Sequence, residues 1–305
     1  IYCFIIRVAK MKRTILHPLL ILLLSSWVGV AYGVVNPLSA CIFALASSGN
    51  QGITSHGAPM ANLNGCSIIS NTSMRCTGHN LNAAEGDAHT TNKGCGVMQF
   101  TGIPVQPDPY SALSANIPPD PCPGLYPLNP YPQEPNLPLI NQYNGAVSLP
   151  SGNTVICGDL QLTGNTTITT PGGSAALVIF NGQLDLNGFT LQTMASSGLT
   201  VVFTGANNAT FQHIPSGLGT LDIAAPASGP WSGISIYQDP FLRTNVDISD
   251  AGSTPTWNLS GVVYLPHSSV RLSGAVNHST NGTSCFQLVV DNITINGNGG
   301  IFACP

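Results

Sequence analysis

Leu160-Gln161-Leu162-Thr163-Gly164-Asn165 is the stretch that decides the fold, because the same phrase keeps returning. It recurs as Leu184-Asp185-Leu186-Asn187-Gly188-Phe189, as Val270-Arg271-Leu272-Ser273-Gly274-Ala275 and as Ile293-Thr294-Ile295-Asn296-Gly297-Asn298. Apolar side chains at i and i+2 share one face of a strand, and the polar residue between them faces water. The glycine that follows permits a bend. A single such strand cannot bury its apolar face, whereas stacked copies can, so the repeat predicts a solenoid.

Further strand signals surround the repeat. They include Leu177-Val178-Ile179-Phe180, Leu199-Thr200-Val201-Val202-Phe203, Leu221-Asp222-Ile223 and Gly233-Ile234-Ser235-Ile236-Tyr237. Gly261-Val262-Val263-Tyr264-Leu265 and Phe286-Gln287-Leu288-Val289-Val290 follow. Leu177, Leu199 and Leu221 stand at equal steps, as stacked units would. The expected architecture is all-β, a right-handed parallel β-helix over residues 145–305. Its eight inward-pointing residues would be Leu160, Leu162, Leu184, Leu186, Val270, Leu272, Ile293 and Ile295. A β-sandwich, which also shows many short strands, is the alternative.

Residues 34–100 are rich in Gly, Asn and Ser, and Leu63-Asn64-Gly65-Cys66 looks like a weaker copy of the repeat. This region is expected to add irregular, Cys-containing β structure. Residues 101–150 hold 13 of the 24 prolines. Proline cannot donate to a sheet ladder, so residues 101–144 read as an extended connector packed on the body.

Composition narrows the class. Charged residues are 7% of the 305, against roughly 25% in an average soluble protein. Hydrophobic residues reach 43% and the net charge is only -4, which argues against disorder. Arg7, Lys10, Lys12 and Arg13 cluster at the start, and only Arg75, Lys93, Arg243 and Arg271 follow. That leaves an acidic body without a phosphate-neutralising patch, which excludes nucleic acid as an expected partner.

Residues 1–33 read as upstream sequence and a secretory signal. Lys12 and Arg13 precede the mainly apolar Ile15 to Val30, and Ala31-Tyr32-Gly33 supplies small residues at −3 and −1. An uncleaved anchor is the alternative, and it would be the sole membrane contact. Eight cysteines follow this segment, an even number that suits oxidation after export to the periplasm, cell surface or medium. Proximity favours Cys41–Cys66, Cys76–Cys95, Cys122–Cys157 and Cys285–Cys304.

Candidate chemistry is sparse. Cys76, His79, His89 and Cys95 could be drawn as a zinc set, but export favours a Cys76–Cys95 disulfide. Asp239, Asp247 and Asp250 with Arg243 form the densest charged cluster, where a polysaccharide-cleaving β-helix would place its acids. The alternative reading has these aspartates capping turns. His267 and His278 flank Arg271 in sequence. No Gly-x-Ser-x-Gly elbow and no Lys-bearing phosphate loop occurs. No catalytic residue, metal ligand or cofactor is therefore expected.

An ordered set of phrases resembles the large C-terminal region of bacterial TadG-like proteins, which are associated with assembly of Flp, or tight-adherence, pili. The phrases are Cys41-Ile42-Phe43-Ala44-Leu45, Leu63-Asn64-Gly65-Cys66, Asp108-Pro109 and Ile156-Cys157-Gly158. They continue with Gly233-Ile234-Ser235-Ile236-Tyr237-Gln238-Asp239, Leu259-Ser260-Gly261-Val262-Val263-Tyr264-Leu265-Pro266 and Cys285-Phe286-Gln287-Leu288-Val289. The resemblance spans roughly residues 41–301 and implies a bacterial envelope protein without catalytic residues.

The function expected is non-enzymatic, in surface adhesion or pilus assembly, with envelope components or surface glycans as partners. One alternative is a carbohydrate-active lyase or hydrolase. Another is a module for an ordered surface, hinted at by Thr166-Thr167-Ile168-Thr169-Thr170.

Overall fold

Alternation of apolar and polar residues makes the strands, and the computed structural model shows how they meet. It describes residues 37–49, 51–57, 63, 66–122, 141–207, 211–243, 246–249, 256–273 and 286–296. Residues 1–33, Cys285 and Cys304 lie outside these. The strands in chain order are β1 (Ala40–Ala44), β2 (Ile53–His56), β3 (Ser67–Ser70), β4 (Met74–Thr77), β5 (Glu85–Ala88), β6 (Asn92–Lys93) and β7 (Met98–Thr101). After the connector come β8 (Asn141–Ser148), β9 (Gly152–Cys157), β10 (Leu160–Thr169), β11 (Ala175–Phe180), β12 (Leu184–Asp185), β13 (Thr190–Thr193) and β14 (Leu199–Thr204). The last are β15 (Pro215–Ser216), β16 (Thr220–Ala224), β17 (Ile234–Gln238), β18 (Val246–Ser249), β19 (Thr256–Ser273) and β20 (Phe286–Asn296).

Every strand pairing among the described residues is parallel. The fold is all-β and dominated by a large parallel sheet. An antiparallel two-sheet sandwich does not fit these pairings.

The longest ladder runs β9, β11, β14, β17, β19, β20, β1, β3, β5, β7. A second runs β8, β10, β13, β16, β19, with β12 and β15 stacked on the first part of β10. A third runs β18, β19, β20, β2, β4, β6. Strand β19 takes part in all three.

The order of the longest ladder is not the order of the chain. The early strand β1 pairs with the last strand, β20, through Ile42↔Leu288, Phe43↔Val289 and Ala44↔Val290. The stack therefore begins at β9, reaches β20 and continues with β1 to β7. The chain must then return from β7 at one end to β8 and β9 at the other. Nine ladder steps of ~4.8 Å make that distance ~43 Å. The twenty residues from Ile103 to Cys122 reach ~66 Å when extended, enough to cover it.

That return segment is the Pro-rich connector, and it lies along the longest ladder like a strap. Asn71 and the Gln106 backbone exchange two hydrogen bonds of 2.8 and 2.9 Å near β3. Tyr110 Oη donates to Gln287 Oε1 at 2.5 Å, on β20. Asn116 Nδ2 donates to Pro230 O at 2.9 Å, just before β17, and Asn153 Nδ2 on β9 donates to Asn116 O at 3.2 Å. Cys122 closes the strap with a disulfide to Cys157 of β9. Its six-residue 3-10 helix, Ser111–Asn116, turns Leu113 towards the sheet.

The strap explains why β11, β14 and β17 are buried at every residue. Inward side chains stack as Leu177, Val201, Ile236, Val263, Leu288, Ile42 and Ile68. The opposite face stacks Val178, Val202, Tyr237, Tyr264, Val289, Phe43 and Ile69 beneath the strap. A parallel sheet buried on both faces reads as a continuous apolar run, as these strands do.

The eight leucine, isoleucine and valine residues of the repeat are all buried in the inner core. Leu160 stacks on Leu184, and Val270 on Ile293. The glycine of the phrase has two reasons. Gly188 turns the chain at φ +83°, whereas Gly164 stays in β10, where a Cβ would strike the Asn144 side chain.

The equal steps of Leu177, Leu199 and Leu221 do not mark one stack. Leu177 pairs with Val201, Leu199 pairs with Ala175, and Leu221 lies on β16 between Leu191 and Trp257. Register follows backbone hydrogen bonds, and loops of unequal length break any fixed count along the chain.

Three disulfides join the pairs that proximity favoured: Cys41–Cys66, Cys76–Cys95 and Cys122–Cys157.

Candidate functional site

The zinc set drawn from Cys76, His79, His89 and Cys95 is not assembled. Both cysteines are spent in their disulfide. His79 Nδ1 accepts from Leu81 N at 2.8 Å and fixes a local turn, while His89 Nδ1 lies 2.7 Å from Ile103 O at the start of the strap. Among the described residues, no group of three or more His, Cys, Asp and Glu gathers where a metal could sit.

Of the acidic cluster, Asp239 is described in full and caps a turn. Its Oδ1 accepts from Phe241 N at 2.9 Å, and its Oδ2 accepts from Thr204 Oγ1 at 2.6 Å. This is the Asx-turn use of a carboxylate. Asp247 sits on β18 opposite Arg271, while Asp250 lies outside the described residues. Arg243 is exposed, and its backbone N donates to Asn207 Oδ1 at 3.1 Å. Burial and the positive charge of Arg243 both hold the His267 pKa below its ordinary value. His278 lies outside the described residues.

The threonine run is not a flat array. Thr166 and Thr170 are buried, and Thr167 and Thr169 alternate with them on the half-buried face. Threonines instead line up across the second ladder, where register places Thr190, Thr220 and Thr256 side by side. Asn165 Oδ1 prolongs this row by accepting from Thr190 N at 3.0 Å. A parallel row holds Thr167, Gln192, Asp222 and Asn258, with Gln192 Nε2 donating to Thr167 Oγ1 at 3.0 Å. A third holds Gln142, Gln161, Asp185 and Ser216, where Gln161 Nε2 donates to Asp185 Oδ2 at 3.0 Å. These rows offer hydroxyl, amide and carboxylate groups at ~4.8 Å steps.

The third ladder carries a different row. Asp247, Arg271, Thr294, Thr54, Arg75 and Lys93 follow one another in register. Arg271, Arg75 and Lys93 are exposed, and the row beside them, Val270, Ile293, Ile53 and Met74, is buried. Three of the four cations beyond residue 33 therefore stand in one line. Arg75 and Lys93 are direct cross-strand neighbours, an arrangement that repulsion disfavours. Thr54 Oγ1 donates to Gln51 Oε1 at 2.8 Å. One row further out, register aligns Asn296, exposed His56 and Thr77, with His56 Nδ1 3.2 Å from Thr77 Oγ1. Composition named these cations but gave no sign that they align. A comparison of Ile53-Thr54-Ser55-His56, Met74-Arg75-Cys76-Thr77 and Asn92-Lys93 as stacked segments would have revealed it.

One acid lies where only apolar groups are expected. Asp87 stands between Ile69 and exposed Phe100 in the register of the longest ladder and is itself 2% exposed. Burial, then the charge of Glu85 and a hydrogen bond with it, push the Asp87 pKa up to about 7.

The chain matches no protein-family model, no curated protein and no solved structure.

Proposed function

We propose that the chain is an exported right-handed β-solenoid that acts without catalysis, as a rigid binding scaffold for surface adhesion at the bacterial envelope. The observation that carries this reading is the set of polar rows on the second ladder. Thr190, Thr220 and Thr256, flanked by Gln192, Asp222 and Asn258, repeat hydrogen-bonding groups along a straight, regularly stepped surface. Such a surface suits an extended ligand that repeats as well, such as a glycan chain. The cross-linked cysteines suit an oxidising compartment. The use of Asp239 as a turn cap removes one acid from the cluster a glycosidase would need. The resemblance to TadG-like proteins is what links the scaffold to pilus assembly.

The test has two arms. Purified protein is applied to immobilised bacterial surface polysaccharides, and the same polymers are assayed for chain shortening with calcium present. Saturable binding without new reducing or unsaturated ends is the expected result. Turnover abolished in Asp247→Ala would overturn the reading in favour of a carbohydrate-active enzyme. Binding that survives conversion of Thr190, Thr220 and Thr256 to Val would move the contact off the second ladder.

A further inference from the structure

We propose that the row holding Arg271, Thr294, Arg75 and Lys93 is a binding site for an anionic polysaccharide of the uronate class. This deepens the scaffold reading above and rests on it. The body carries twelve acidic residues against four cations beyond residue 33, yet three of those cations share a single row on the third ladder. Chance placement over three ladders would scatter them. Arg75 and Lys93 stand directly opposite each other on β4 and β6, so each raises the energy of the other until an anion lies between them. A charge arrangement that costs stability in the free protein and is relieved by a ligand is what a binding site presents.

The chemistry of the row selects the ligand. The planar Arg75 guanidinium can grip a carboxylate through two parallel hydrogen bonds, with Lys93 beside it as a point charge. Half-buried Thr294, beside Arg271, places a hydroxyl where an uncharged sugar hydroxyl would pass, while Thr54, between Thr294 and Arg75, is buried and bonded to Gln51. Arg271 stands three ladder steps from Arg75, ~14 Å away. An extended acidic glycan has its carboxylates set apart by sugar rings and can meet both ends of the row. Duplex nucleic acid and anionic bilayers are charged far more densely, and the acidic residues elsewhere on the body repel them.

The experiment uses the full mature chain, with polygalacturonate and alginate as anionic probes and dextran as the neutral probe. Wild-type protein is compared with Arg75→Gln, Lys93→Gln, their double variant and Arg271→Gln. These side chains are exposed, so the three disulfides are expected to stay as they are, and the melting temperature to hold or to rise slightly where the Arg75–Lys93 repulsion is removed. A Kd for the uronate polymers that rises about tenfold for each cation removed is the expected result, by the strength of charge-assisted hydrogen bonds. A wild-type affinity that falls steeply as salt rises from low to physiological ionic strength also supports the site. Uronate binding that is equal in wild type and the double variant overturns the inference. Tighter binding to phosphatidylglycerol vesicles or duplex DNA, lost in the same variant, overturns the choice of ligand class. Binding to dextran alone, unchanged in every variant, overturns the anionic site but leaves the scaffold reading standing. Binding to none of these or to any surface polysaccharide overturns both.

Discussion

Tyr264 and Asp108 are 156 residues apart in sequence, yet the Tyr264 hydroxyl donates to Asp108 Oδ2 at 2.6 Å. Tyr264 is fully buried on the longest ladder, stacked on Tyr237 with ring centroids 4.7 Å apart, and Asp108 belongs to the strap. The bond fastens the strap midway along the sheet. Burial, followed by the hydrogen bond and charge of Asp108, pushes the Tyr264 pKa up, so the phenol stays protonated and remains the donor.

Tyr264→Phe removes that donor while keeping the ring stack. The expected loss is about 1–3 kcal/mol, since a carboxylate loses a charge-assisted partner. Chemical denaturation of wild type and variant measures it. Faster amide exchange around residues 106–112, with exchange in β11 and β14 unchanged, would show that the strap loosens first.

The Cys122–Cys157 disulfide closes a loop over a sequence separation of 35 and ties the strap to the far end of the ladder. Cys122→Ser with Cys157→Ser should cost roughly 3–4 kcal/mol. Thermal melts of both forms give the difference. Mass spectrometry of the unreduced wild type should find Cys41, Cys66, Cys76, Cys95, Cys122 and Cys157 closed to alkylation.

Stacking of β1 on β20 predicts that the chain tolerates circular permutation. A chain that joins the segment after Asn296 to Pro37 and opens between Cys122 and Asn141 would run in the same order as the ladder. Its circular dichroism and disulfide map should match those of the wild type. A molten spectrum or scrambled disulfides would contradict the Ile42↔Leu288 register.

Asp87 gives the stability a pH dependence of unusual sign. Its folded pKa of about 7 lies above the ordinary 3.8, so between those values the folded chain keeps a proton that the unfolded chain releases. Stability from this group therefore falls as pH rises from about 4 to 7, and the penalty is complete above that window. Asp87→Asn should stabilise the protein by on the order of 2–4 kcal/mol at pH 8 and change little at pH 4. Urea denaturation at the two pH values tests this.

His213 acts in the opposite direction. It is fully buried, its ring lies edge-on to Phe211, and burial pulls its pKa down to about 4, partly offset by the charge of Asp239. Between pH 6.5 and 4 the unfolded chain takes up a proton that the folded chain refuses, so stability is lost as pH falls. His213→Gln should flatten the acid limb of the stability profile by roughly 1–3 kcal/mol. NMR titration of the His213 ring checks the pKa directly.

Much of the core is legible in the sequence by itself. The i, i+2 pattern places Leu160, Leu162, Leu184, Leu186, Val270, Leu272, Ile293 and Ile295 inside, because strand alternation is a property of the local backbone. Neighbouring cysteines find each other because short loops hold them close. Prolines mark the connector, of which residues 103–122 run outside the ladders, whereas Asn141 to Asn144 at its predicted end belong to β8. Tertiary structure alone decided which strand edge meets which. Every parallel strand offers the same N–H and C=O groups on both edges, so nothing in the local sequence says that β1 stacks on β20 rather than on β8. That one choice sends the strap along the longest ladder, over Tyr264 and Gln287. It also brings β2, β4 and β6 onto the ladder of β19 and β20, where Arg75 and Lys93 join Arg271 in a single charged row.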